Sequence, residues 1–151
     1  MLTAVSGHVF HELRHIYGLA RDGLVVGNGV DEKTFIPHQA SQGQEYVLYV
    51  GRMDYRKGLF DLLRCIKYVC EKKRNVSFIL VGNGPIAGEI AKEAIKMGIR
   101  SRITFTGYVD KNWLIRLYQN AKIFVMPSLY EGLPTVILEA CLLYTSDAAD
   151  E

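Results

Sequence analysis

The chain has 151 residues, 49% hydrophobic and 23% charged, with a formal net charge of +2; this suffices for one domain with a full core, is too short for two complete ones, and points to no nucleic-acid partner. No apolar run reaches the roughly 20 residues that span a bilayer, and the start lacks a leader with a basic head and apolar centre. Three cysteines, with Cys65 and Cys70 diverging on a predicted helix, argue against a disulfide framework, so free thiols and a cytoplasmic location are expected.

In chain order, residues 6 to 19 read as a helix and Leu24 to Val26 as a short strand. Asn28-Gly29-Val30-Asp31 reads as a turn, and the polar stretch HQASQGQE leads onward. From Tyr46 the pattern becomes regular. The strand YVLYV is followed by a helix with Leu59, Leu62, Leu63, Ile66, Val69 and Cys70 on one face, ending in Lys72-Lys73-Arg74, then by the strand VSFILV. A helix carrying Ile86, Ile90, Ala94 and Met97 precedes RITFTG; a third with Leu114, Leu117, Tyr118 and Ala121 precedes KIFVMP; a fourth starts near Leu133. Nearly all-apolar strands alternating with amphipathic helices predict an α/β domain, a Rossmann-like doubly wound parallel sheet covered on both faces. After Ala140 the periodicity fails, and CLLYTSDAADE supplies neither strand nor turn. The sheet is therefore expected to be incomplete, with an exposed edge that invites aggregation, and residues 141–151 to be an unassigned tail, possible read-through or an unusual native helix end.

Three stretches suggest chemistry. His11-Glu12-Leu13-Arg14-His15 is an H-E-x-x-H, whose two histidines share a helix face and in a zinc peptidase would chelate a metal while the glutamate activates its water. The third ligand is missing: Arg21 stands three residues after Gly18, Asp22 is out of register, and Glu32 lies just past the predicted turn. A solvated helix bearing His8, His11 and His15 is the simpler expectation. In VGNGPIAG, Gly82, Gly84 and Ala87 fit a dinucleotide fingerprint after a strand, but the next strand ends in Thr106 and Gly107 instead of an acid, and Pro85 lacks an N–H for a pyrophosphate. These glycines read as turn residues, with an NAD-binding module as an alternative. The third constellation is distributed. VGRMDYRKG supplies Gly51, Arg52 and Lys57 after the first core strand, where open α/β sheets bind ligands, and SLYEGLPTVILEA places Glu131 in a loop, Gly132 and Pro134 at a helix start and Glu139 inside that helix. Cations and a helix start suit a diphosphate, and flanking carboxylates suit vicinal hydroxyls, which together describe a nucleotide sugar.

The succession NGVD, YVGRMDYRKG, VGNGP, FTGYV and PSLYEGLPTVILEA resembles the donor-binding half of a family-four retaining glycosyltransferase with the two-domain GT-B fold, from about Ser6 to Ala140. Glu131 and Glu139, with seven residues between them, match that family's E-x7-E motif. The resemblance implies that residues 1–27 end an N-terminal acceptor domain, with AVSGHVFHELRHIYGL as its final strand and helix and Ser6 in its usual place, and that residues 28–140 form the donor domain. It implies that Arg52 and Lys57 meet the donor diphosphate, Glu131 the donor sugar and Glu139 the ribose. Gly132, Leu133 and Thr135 would add backbone donors, and Gly107, Tyr108 and Val109 would flank the base. A hexosyltransferase-type enzyme is implied, with a UDP or GDP sugar as donor, no metal or other cofactor, and a glycan, lipid or small-molecule acceptor. Peripheral membrane contact would come through the remainder of the N-terminal domain. The 151 residues alone are expected to bind nucleotide weakly and to transfer nothing.

Overall fold

A computed structural model describes residues 2–18, 22–36 and 46–143. The polar stretch at 38–45, Leu19, Arg21 and the tail from 144 lie outside the described residues. Two short parallel strands, β1 (Leu2–Ala4) and β2 (Gly23–Val25), flank helix α1 (Gly7–Tyr17). Helix α1 starts where the Ser6 hydroxyl accepts the Val9 amide at 3.3 Å and stops at Gly18, whose φ of 60° is left-handed. The turn expected at Asn28 to Asp31 falls later. Residues 26–31 are irregular, and it is Asp31 that turns the chain, its carboxylate accepting from the Lys33 amide and the Thr34 hydroxyl while its carbonyl accepts from the Thr34 and Phe35 amides. An aspartate whose carboxylate accepts the amide two residues on and the hydroxyl three residues on wins over the Asn-Gly signal.

The core is β3 (Tyr46–Val50), α2 (Leu59–Lys72), β4 (Ser77–Val81), α3 (Ala87–Lys96), β5 (Ile103–Gly107), α4 (Lys111–Asn120), β6 (Ile123–Phe124) and α5 (Thr135–Leu143). Its four strands are all parallel, in the order β5-β4-β3-β6. Strand β3 shows why both faces are covered. Its side chains alternate, Tyr49 joining Leu63, Ile66, Leu80 and Ile90 beneath α2 and α3, while Leu48 and Val50 join Val81, Leu117, Tyr118 and Ala140 beneath α4 and α5. The apolar face of α2, Leu59, Leu62, Leu63 and Ile66, is buried as its helical spacing requires. KIFVMP pairs over only two residues, so β6 is a short edge strand with Ile123 half exposed. The three cysteines are free thiols, and among the described residues no helix is long and apolar enough to cross a membrane.

The connections after β3 and β4 press against each other. Gly82 has a φ of +120°, and a Cβ there would stand 2.1 Å from the Gly51 carbonyl oxygen; Gly98, at φ +72°, faces open space. Gly98→Ala should therefore cost only the strain of the left-handed backbone, about 1 kcal/mol, whereas Gly82→Ala adds a backbone collision and should cost about 3 kcal/mol or more. Urea unfolding of the two variants checks this, and equal losses would contradict the close approach of the loops.

Candidate functional site

Strand order places the site. The chain steps from β3 to β4 and β5 on one side and returns to β6 on the other, so the connections leaving β3 and β6 part at the carboxyl edge and leave a crevice between them. The first carries Gly51 to Gly58. The Tyr49 hydroxyl donates to the Arg52 carbonyl at 3.1 Å, and Asp54 caps the short turn Tyr55–Lys57 by accepting the Arg56 amide at 3.0 Å. Burial, reinforced by the charges of Asp54 and Glu131, pushes the Tyr49 hydroxyl well above its ordinary value and keeps it a donor. The second connection, residues 125–134, is tied to the first by the Leu129 amide donating to the Arg56 carbonyl at 2.8 Å. Gly58 allows this closeness, since a Cβ there would lie 2.0 Å from the Pro127 carbonyl oxygen.

Across this seam Lys57 Nζ donates to Glu131 Oε1 at 2.5 Å, with both side chains about three-quarters or more buried. Burial alone would raise the Glu131 carboxyl, but the Lys57 hydrogen bond, the nearby Ser128 hydroxyl and the charges of Lys57 and Arg56 outweigh it and hold the group below its ordinary value. Ser128 Oγ lies near enough to contribute, yet it is buried and, among the described residues, reaches no partner of good hydrogen-bond geometry. Gly51, Arg52, Lys57, Ser128, Glu131, Leu133, Pro134 and Thr135 line one pocket of about 320 Å³. Arg52 is exposed there and makes no ion pair among the described residues.

Thr135 also borders a second pocket of about 450 Å³, lined by Asp31, Phe35, Val109, Lys111 and Glu139 among others. Glu139 is held by the hydroxyl of the buried Tyr118 at 3.0 Å. The sequence-derived candidates thus divide between two adjoining pockets: Gly51, Arg52, Lys57, Glu131 and Leu133 in one, Val109 and Glu139 in the other, Thr135 in both. Two stand apart. Tyr108 is 80% exposed and lines neither pocket, and Gly132 packs its backbone against Val5 and Val9 at the start of α1. Sequence reasoning did not single out Asn28 as a site residue, whose amide donates to the Leu133 carbonyl at 2.7 Å and fixes the approach to α5. It also missed Ser128, Phe35 and Lys111. Asn28 had a signal, the NGVD motif; the others are single polar or apolar residues whose role depends on tertiary placement.

The two competing motifs have other employment. In α1 the His11 and His15 rings lie 4.3 Å apart, but Glu12 accepts a hydrogen bond from the Tyr130 hydroxyl, and among the described residues no group of three or more potential ligands gathers to hold a metal. The geometry does not favour a zinc site on this helix. The VGNGP turn is stitched to the neighbouring connection: the Met53 amide donates to the Asn83 carbonyl at 3.0 Å, and a Cβ on Gly84 would stand 2.3 Å from the Met53 carbonyl oxygen. These glycines admit another stretch of backbone where a dinucleotide site would admit pyrophosphate.

A doubly wound parallel sheet whose cleft opens between the ends of β3 and β6, with cations on one lip and a helix start on the other, is a Rossmann-like domain, and its likeness to solved glycosyltransferases gives it the GT-B type. A model of the family "Glycosyl transferases group 1" matches residues 30–145, and the chain belongs to that family. It is 32% identical over 97 residues to an uncharacterized glycosyltransferase of Methanocaldococcus jannaschii, covering 64% of this chain and 25% of the relative. It is 29% identical over 142 residues to a glycogen synthase of Mycobacterium tuberculosis, covering 92% of this chain and 34% of the relative. The chain therefore spans about a quarter to a third of the length of these relatives. Among solved structures, Anabaena HepE in complex with UDP and glucose superposes with a TM-score of 0.80 at 19% identity, over 94% of this chain and 42% of that one.

The Lys57–Glu131 pair is only partly shielded, so its loss should cost between a surface and a buried bridge: Glu131→Gln is expected to destabilise by about 1 kcal/mol. Because the folded carboxyl titrates below its ordinary value of 4.5, this contribution is present above that value and fades as pH falls through the lowered one. Urea midpoints should differ between wild type and variant at pH 7 and converge only once the pH has fallen through the lowered titration of the folded carboxyl.

Proposed function

We propose that the paired pockets bind a nucleotide sugar, with the diphosphate beside Arg52, Lys57 and the start of α5, the ribose at Glu139, the base beside Val109 and the sugar hydroxyls at Glu131. The observation that carries this is the convergence in one pocket of a cation that makes no ion pair among the described residues, a cation shared with a carboxylate, and a helix start. Lys57 has three N–H donors, so it can keep Glu131 and still meet a phosphate oxygen. Departure of the nucleoside diphosphate builds negative charge on its terminal phosphate, and fixed cations at the amino end of a helix stabilise that charge without a divalent metal. The family membership and the UDP and glucose bound to HepE support the substrate class.

In the whole protein, the sugar would pass to a hydroxyl of a glycan, lipid or small-molecule acceptor with retention of configuration, as the E-x7-E resemblance implies. Cytoplasmic placement and membrane contact through further sequence belong to the same proposal. Calorimetric titration with UDP and with GDP tests the donor site. Arg52→Ala and Lys57→Ala should each weaken the preferred nucleotide about tenfold, some 1.4 kcal/mol, with binding unaffected by EDTA. Glu131→Gln should leave affinity for the bare diphosphate within about twofold. Affinity indifferent to Arg52 and Lys57 would overturn the assignment.

A further inference from the structure

The H-E-x-x-H helix is not idle. Glu12 accepts a hydrogen bond from the Tyr130 hydroxyl, a contact between residues 118 apart in the chain. His8 Nε2 lies 3.7 Å from the other Glu12 oxygen, and the His8 ring is 6.4 Å from that of Tyr130. Two residues on, Gly132 brings the chain so close to α1 that a Cβ would meet Val5 and Val9 at 3.3 and 3.4 Å. Helix α1 thus grips the residues on both sides of Glu131, while the Leu129 amide is fastened to Arg56 from the opposite lip. The Tyr130 hydroxyl is held protonated, its value raised by the hydrogen bond to Glu12 first and then by burial and the Glu12 charge, so the donor in this contact persists across the neutral range.

We infer that Glu12 is a positioning residue for the donor pocket: by accepting the Tyr130 hydroxyl it clamps the 130–132 turn onto α1 and so seats the Glu131 carboxylate against Lys57. The seating is a structural statement, and its functional consequence rests on the donor-site assignment above. A carboxylate carried on a loop makes a dependable partner for sugar hydroxyls only when its backbone is fixed from more than one side. Glu131 is fixed by α1 through its neighbours and by Lys57 through its own oxygen.

The test follows the Glu131 carboxyl carbon by NMR through an acid titration. The groups facing Glu131 are Lys57, Arg56, Tyr49 and Ser128, and those facing Glu12 are His8 and Tyr130. Tyr130→Phe and Glu12→Ala should each weaken the hold on the ionised carboxylate about threefold, raising the midpoint by about half a unit. The double variant should raise it no further, because both changes remove one interaction. Glu12→Gln keeps an acceptor for the tyrosine and should stay within twofold of wild type. The sign is diagnostic: loss of the Glu12 charge acting through space would lower the Glu131 midpoint, not raise it. An unmoved midpoint in Tyr130→Phe and Glu12→Ala, or additive shifts in the double variant, would overturn the inference. In parallel, Tyr130→Phe should leave UDP affinity intact and abolish any preference for UDP-glucose over UDP. A wild-type chain that binds neither UDP nor GDP would sink the donor-site assignment while the carboxyl titration still decides the seating.

Discussion

The ion pair between Lys57 and Glu131 joins the two connections that leave the sheet on either side of its switch point, and the site depends on that junction. Parallel strands force the chain to depart from β3 and from β6 in different directions, which opens a crevice but does not by itself line it with the right chemistry. The lining comes from two loops brought into backbone contact, with Gly58 against Pro127 and Leu129 bonded to Arg56. Only with the loops so placed can a lysine 74 residues away from a glutamate reach it at 2.5 Å. The pair keeps a carboxylate ionised inside an otherwise cationic pocket, leaving Arg52 to meet an incoming anion.

Much of the architecture was legible because period and composition agree. Leu59, Leu62, Leu63 and Ile66 recur at helical spacing and are all buried, and YVLYV and, after Ser77, FILV are apolar because helices cover both faces. Legibility failed where local hydrogen bonds compete with composition. Asn28-Gly29 carries a strong turn signal, yet the chain turns at Asp31, whose side chain accepts the Lys33 amide and whose carbonyl accepts the Thr34 and Phe35 amides. KIFVMP has the look of a full strand but pairs with β3 over two residues only.

The site was legible to a different degree. Arg52, Lys57, Glu131 and Glu139 would each alone read as an ordinary surface charge and stood out by their joint placement around one strand edge, and the structure sorts them into two adjoining pockets. What no spacing revealed was that Lys57 and Glu131 meet each other, that Tyr118 holds Glu139, or that Ser128 brings a buried hydroxyl, without a well-formed hydrogen bond among the described residues, to the same wall. HELRH and VGNGP were set aside as a zinc site and a dinucleotide site in the sequence, and the structure agrees for one reason. A short pattern records residue types, whereas a metal or dinucleotide site needs open space and further groups around it. Here Glu12 is engaged by Tyr130 and Gly84 by the backbone of Met53.

The account stands on one location, the pocket between the ends of β3 and β6, as the place where a nucleoside diphosphate binds. Backbone and side-chain nitrogen NMR of the isotopically labelled chain, followed as UDP or GDP is added, reads that location directly. The largest shifts should fall at Arg52, Lys57, Ser128 and Thr135, with Val109 and Glu139 following and His11, His15 and residues 83–87 unmoved. Shifts centred instead on Asn83 to Ala87 would make the glycine turn the anion site and contradict the account.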